Sequence, residues 1–162
     1  MSRVHGIRLT PDRDAGGFVV TFSDVSEAIT QGEDVEDALH HAVGALETVL
    51  MIYISRRADL PRPSRARKKG YLVTLPALSE AKMALYQAMK AAAVGKGEPA
   101  RKLRWPVAQI ERLLDLNYAS RLDQIELALE VLKKWKRLNK ARSISRKLPA
   151  RPACRRHITV VI

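Results

Sequence analysis

The run VEDALHHAVGALETVLMIY, residues 35 to 53, sets the tightest limit on the fold. Val35, Ala38, Leu39, Ala42, Val43, Leu46, Val49, Leu50 and Tyr53 recur at intervals of three and four, which puts them on one face of a helix of about five turns. An apolar face of that length must be covered. Asp34 stands where its carboxylate can accept from the amide of Asp37 and interact with the positive end of the helix dipole, so the helix is expected to begin there. Glu36, Asp37, His40, His41, Glu47 and Thr48 fall on the opposite face.

The residues before this helix supply the cover. Val4 to Leu9 alternates loosely and stops at TPDRDAGG, a turn composition. Phe18 to Phe22 reads as a second strand and Glu27 to Gln31 as a shorter third, which makes a meander. RRADLPRPSRARKK, residues 56 to 69, holds two prolines and seven basic residues and reads as a loop. Tyr71 to Leu75 is then a fourth strand, ended by Pro76. The first domain is drawn over residues 1–76.

From Ser79 the pattern turns helical. Ala81, Leu85, Ala88, Met89 and Ala92 form one stripe, Gly95 and Gly97 break it, and helices follow over Glu98 to Leu103, Pro106 to Leu114 and Leu122 to about Trp135. A small all-α domain is expected over 77–135, and residues 136–162 read as a flexible basic tail. The fold class is therefore α+β.

Charge divides along the same line. Residues 1 to 60 carry five Lys/Arg against ten Asp/Glu, whereas residues 96 to 162 carry seventeen against six, within an overall formal charge of +12. An acidic front suits a basic partner, and a basic rear suits a polyanion, most simply nucleic acid. The single cysteine, Cys154, excludes an internal disulfide framework and points to a reducing cytoplasm. The most apolar window, Ala42 to Ile54, is interrupted by Glu47 and Thr48, so no membrane span is expected.

The segment KGEPARKLRWPVAQIERLLD, residues 96 to 115, carries the sharpest functional pattern. Ala100 and Leu103 face inward from one short helix, Trp105 plugs the turn, and Ile110, Leu113 and Leu114 face inward from the next. This spacing suits a helix-turn-helix whose second helix enters the major groove. Val107, Ala108, Glu111 and Arg112 then point outward, with Arg112 suited to guanine or phosphate and Val107 or Ala108 to a thymine methyl. With Lys96, Arg101, Gln109 and Arg121 they make up the candidate DNA-binding set. The turn position that usually takes glycine holds Arg104.

Catalytic and metal-binding residues are not expected, and neither is a cofactor. Asp12, Asp14 and Asp24 are the best case for a degenerate metal-dependent nuclease, because two-metal hydrolysis needs clustered carboxylates. Turn chemistry accounts for Asp12 and Asp14 equally well. His40 and His41 are adjacent and diverge by about 100° on a helix.

GGFVVTFSDVSEAITQGEDVEDALHHAVGALE, LVTLPALSEAKMALYQAM and KGEPARKLRWPVAQIERLLDLNYASRLDQIELAL, in that order, resemble HicB-type antitoxins of type II toxin-antitoxin pairs over residues 3 to 132. The resemblance implies that the front domain is a partial RNase H-like β-β-β-α-β unit without catalysis. It also implies that the helix-turn-helix binds the operator of its own operon as double-stranded DNA. The implied partner is a HicA-type toxin, a small basic mRNA-cleaving ribonuclease whose active site the front domain covers; its contact residues are not assigned. A homo-oligomer follows from the paired half-sites that helix-turn-helix proteins usually read. A stand-alone helix-turn-helix regulator with a sensing front domain is the alternative reading.

Overall fold

A computed structural model describes residues 4–14, 16–63 and 70–147, and the side chains of its last helix as far as 138. Strands β1 (Val4–Pro11), β2 (Phe18–Phe22) and β3 (Ile29–Gly32) precede helix α1 (Val35–Ser55), strand β4 (Tyr71–Thr74) and helices α2 (Ala77–Ala91), α3 (Gly97–Leu103), α4 (Val107–Leu114) and α5 (Leu122–Lys147). The fold is α+β, as expected. The four strands form one sheet in the order β3-β2-β1-β4, and every neighbouring pair is antiparallel.

Each strand puts alternate residues on α1. Ile7 pairs with Phe22, Leu9 with Val20 and His5 with Val73, so these side chains share one face of the sheet. Ala38, Ala42, Leu46, Val49, Leu50 and Ile54 of α1 pack onto it. Asp34 caps the helix as the sequence implies, its side chain accepting from the Asp37 amide at 2.9 Å. By length and apolarity alone α1 would qualify to cross a bilayer. Its inner stripe lies on the sheet, as in the core helix of a globular unit.

Three expectations need correction. The third strand begins at Ile29, not Glu27, because a turn closed by the Ala28 amide on the Val25 carbonyl at 3.1 Å comes first. The inner stripe of α2 is wider than the alanine-based one. Ser79, Lys82, Met83, Leu85, Tyr86 and Met89 are buried, since this helix is packed on more than one side. Helix α5 does not stop near Trp135 but continues to Lys147, so residues 136–147 of the expected tail are helical. The remainder of that tail, 148–162, lies outside the described residues.

The hydrophobic core continues across residue 76. Leu75, Met83, Leu85, Ile110, Leu113, Ile125, Ala128 and Leu132 join the same buried cluster as the sheet residues. Ser79 of α2 donates to Glu47 of α1, and the Leu116 amide lies 3.1 Å from the Met51 sulfur.

Helices α1, α2 and α3 each end with a non-glycine residue in the left-handed region: Arg57 (φ 55°), Ala93 (φ 53°) and Arg104 (φ 56°). At each, the following amide reaches back to a carbonyl five residues earlier, as Val94 does to Met89 at 3.1 Å. A β-carbon in this conformation costs about 1 to 2 kcal/mol, which glycine avoids at an entropic cost of roughly 0.5 to 1 kcal/mol. Ala93→Gly is therefore expected to stabilise the chain by about 0.5 to 1 kcal/mol. Chemical denaturation of the two proteins would measure it.

Candidate nucleic-acid interface and acidic surface

The turn between α3 and α4 is built by Arg104. Its left-handed backbone (φ 56°, ψ 38°) lets the Trp105 amide donate to the Ala100 carbonyl at 2.9 Å, and Pro106 then starts α4 from an extended conformation. Arginine thus occupies the position where glycine was expected without opening the turn. Ile110, Leu113 and Leu114 bury the inner side of α4, while Val107, Ala108, Glu111 and Arg112 are exposed, Val107 at 46 %. The placement agrees with the spacing argument, and an outward face is available to a groove.

The polar residues around α4 are already engaged. Lys96 pairs with Glu111 at 3.0 Å, Arg101 grips Glu98 through two bonds of 2.9 and 3.1 Å, and Arg121 grips Asp123 through bonds of 3.1 and 2.9 Å. These pairs are exposed and worth at most about 1 kcal/mol each, so a polyanion can take the cations from their carboxylates. Gln109 is different. Its amide donates to Gln124 at the start of α5 at 2.8 Å, in a partly buried bond, so it braces two helices and is turned away from the outward face.

Arg112 is positioned by residues the sequence did not bring to notice. Its guanidinium lies 5.5 Å from the centre of the exposed Tyr118 ring, and Ser120 donates to its carbonyl at 3.1 Å. Lys82, fully buried at 0 % exposure, reaches from α2 and donates to the carbonyls of Asp115 and Tyr118. Burial pulls the Lys82 ammonium below its ordinary pKa, partly offset by the carboxylates of Asp115 and Glu47. A lysine that closes the C-terminal end of α4 also suits the negative end of that helix. Lys102 lies 5.1 Å from the Trp135 ring centre, which ties α3 to α5.

At the front, the three aspartates of the nuclease alternative do not meet. Asp12 accepts from the Asp14 amide at 3.0 Å inside the β1–β2 turn, whereas Asp24 is bound by buried His5 at 2.7 Å at the other end of the hairpin. With Ile7 opposite Phe22 and Pro11 opposite Phe18, the two ends are roughly 20 Å apart at about 3.3 Å per residue. Among the described residues no three His, Cys, Asp or Glu side chains converge as metal ligands.

Carboxylates instead form an acidic edge. The β1–β2 turn abuts the end of β3, since a β-carbon on Gly17 would lie 2.3 Å from the Gly32 carbonyl oxygen. That contact places Asp12 and Asp14 on the same end of the sheet as Glu33, Asp34, Glu36 and Asp37. The β1–β2 turn end of the sheet therefore presents an anionic rim, interrupted by the exposed Arg13. At the opposite end Glu27 is held below the usual range by its own backbone amide and by the Tyr53 hydroxyl, which donates at 3.0 Å.

Residues 5–84 match the family model described as a HicB-like antitoxin of bacterial toxin-antitoxin systems. The chain is 33% identical over 128 residues to Antitoxin HicB of Escherichia coli (strain K12), covering 79% of this chain and 92% of that protein. It is similar to Antitoxin HicB of Pseudomonas fluorescens (strain Pf0-1), at 32% over 120 residues, 74% of this chain and 82% of the other. Antitoxin HicB 2 of Photorhabdus laumondii subsp. laumondii is 34% identical over 123 residues, 76% of this chain and 87% of that one.

Proposed function

This chain belongs to the HicB-like antitoxins of bacterial toxin-antitoxin systems, and from that premise we propose that it neutralises a HicA-type mRNA-cleaving toxin through its sheet unit and represses its own operon through its helical unit. The sheet unit, a partial RNase H-like fold in this reading, acts as a shaped acidic surface. Its anionic rim supports the docking of a small basic protein, because complementary charge speeds encounter and disfavours wrong partners. The helical unit reads operator DNA as a helix-turn-helix. The protein acts in the cytoplasm as a homo-oligomer.

The observation that carries the DNA half is the outward face of α4. Four residues, Val107, Ala108, Glu111 and Arg112, remain exposed on a helix whose other side is sealed into the core. In this reading α4 enters the major groove and Arg112 leaves the Tyr118 ring for a guanine edge or a phosphate. Loss of one such contact costs about 1 to 3 kcal/mol. Arg112→Ala is therefore expected to weaken operator binding roughly 30-fold while toxin neutralisation is unchanged. Operator titration and toxin inhibition, measured on the same preparation, test this. Equal loss of both would contradict separate sites.

A further inference from the structure

Helix α5 outruns the body that it packs on. Ile125, Ala128 and Leu132 are buried and Trp135 is half-buried, but Leu138, one turn further on, is 57 % exposed. The helical backbone continues to Lys147, about 18 Å beyond Trp135 at 1.5 Å per residue.

Charge changes where the packing stops. Asp123, Glu126 and Glu130 are the only acids of the helix, and from Val131 to Lys147 it holds eight Lys/Arg and no acid. Lys133, Lys134, Lys136 and Arg137 are exposed, and among the described residues none of them is in an ion pair. Lys133, Lys136, Arg137 and Lys140 stand at i, i+3, i+4 and i+7, along one face of the helix. Like charges at these spacings repel, and the helix dipole offsets the repulsion only in the last turn. A helix face kept for water ordinarily mixes its signs.

Two contacts fix where this segment leaves the body. Gln109 of α4 donates to Gln124 in the first turn of α5 at 2.8 Å, and Lys102, exposed in the last turn of α3, lies 5.1 Å from the Trp135 ring centre. Helix α5 therefore starts against α4, crosses α3 and departs close to the turn, where Arg101, Lys102 and Arg104 are exposed. In a helix-turn-helix the first helix of the pair crosses the phosphate backbone, and the start of the second faces the base edges. The departing end of α5 stands beside the first.

A surface of this charge selects its occupant. A second copy of α5 would set cation against cation, and so would a basic toxin. Duplex DNA offers one negative charge per ~1.7 Å of its axis.

We propose that the acid-free end of α5 is a second contact on duplex DNA, which lays Lys133, Lys136 and Arg137 along phosphates flanking the groove that α4 enters. This contact reads no sequence; it adds affinity for any duplex and leaves discrimination to α4. It deepens the DNA half of the function proposed above and rests on duplex DNA being the polyanion there.

The test is a salt titration of the full chain on the operator and on a scrambled duplex of the same length. Each phosphate contact adds about 0.9 to the steepness with which log affinity falls against log salt. Lys133→Gln with Lys136→Gln and Arg137→Gln, all exposed positions given a good helix former, is expected to lower that steepness by about 2.7 on both duplexes. Between about 50 and 200 mM salt the parent should then lose roughly 40-fold more affinity than the variant. Lys133→Arg with Lys136→Arg and Arg137→Lys should keep the parent's slope. Arg8→Gln with Arg13→Gln and Arg56→Gln takes the same charge from the sheet unit and should change the slope by less than about 1. An unchanged slope in the α5 variant would overturn the proposal, as would an equal change in the sheet-unit variant, because net charge alone would then account for it. So would a change found on duplex RNA and absent on DNA. Arg112→Ala separates this contact from operator reading, since it should cost affinity on the operator alone. If Arg112→Ala had no effect while the α5 variant flattened both slopes, reading by α4 would fail and the α5 contact would stand.

Discussion

Gly32→Ala is expected to destabilise the chain by about 3 kcal/mol or more, lowering its thermal midpoint by roughly 10 °C. A β-carbon at Gly32 would lie 2.3 Å from the Ala38 nitrogen and 2.5 Å from its α-carbon. Both are backbone atoms of the first turn of α1, so no side-chain rotation relieves the clash. The helix must lift from β3. That movement opens the packing of Ala38 and Ala42, and it disturbs the Asp34 cap and the bond from the Glu33 amide to Asp37 at 3.0 Å. Gly17→Ala fails for a related reason, since its φ of +78° and the 2.3 Å approach to the Gly32 carbonyl oxygen both exclude a side chain. Calorimetry of Gly32→Ala beside Gly44→Ala separates these cases, because the second meets open space and should gain about 0.5 to 1 kcal/mol. A Gly32→Ala protein as stable as the parent would refute this packing of α1 on the sheet.

Lys82→Ala is the second large effect, at about 3 kcal/mol of lost stability. The substitution opens a cavity and takes the Lys82 donor from the carbonyls of Asp115, which keeps the Tyr118 amide at 3.2 Å, and Tyr118, at the point where α4 passes into the loop before α5. Operator binding should fall as well, since Tyr118 and Ser120 would no longer hold Arg112. Lys82→Met, which keeps most of the volume, isolates the hydrogen bonds and should cost less, about 1 to 2 kcal/mol.

The same lysine gives a pH dependence whose sign is fixed. Burial lowers the folded-state pKa below the ordinary 10.5, while the unfolded chain titrates near that value. Between the two values the unfolded state holds the extra proton, so stability rises with pH across that window. Tyr86, raised by burial above its ordinary 10.0, acts in the opposite sense above pH 10, because there the unfolded chain loses its proton first. The difference between the parent and Lys82→Met cancels the tyrosine contribution. Across the alkaline window the parent should gain on the variant. A constant gap would mean that Lys82 is not desolvated.

Residues in one local run carried most of what the sequence revealed. The α1 stripe has a 3.6-residue period and a cap within three residues of its start, so both were legible. The outward positions of α4 followed from the inward spacing of Ile110, Leu113 and Leu114. The start of β3 was hidden because the preceding turn contains Val25 and Ala28, which carry no turn signature. Helix α5 gave no stop signal before Pro149. Its Arg, Lys, Leu and Ala are good helix formers, and the local preference prevailed over charge repulsion. Lys82 was invisible for another reason. Its partners are 33 and 36 residues away, and a lysine among apolar residues reads as solvent-facing until the tertiary contacts are known. The exposure of Arg112 was legible from the same spacing, but its contact with the Tyr118 ring came only with the fold.

A charge reversal on the rim and a charge removal on α4 test the division of labour most directly. Asp14→Lys with Glu33→Lys removes negative charge from the acidic rim, and Arg112→Ala removes the outward cation of α4. Toxin inhibition and operator affinity are then read for both proteins under one salt condition. The account predicts a crossed result, with the rim variant losing toxin inhibition yet holding the operator, and Arg112→Ala doing the reverse. If either variant lost both activities together while remaining folded, toxin and DNA would share a site and the account would be wrong.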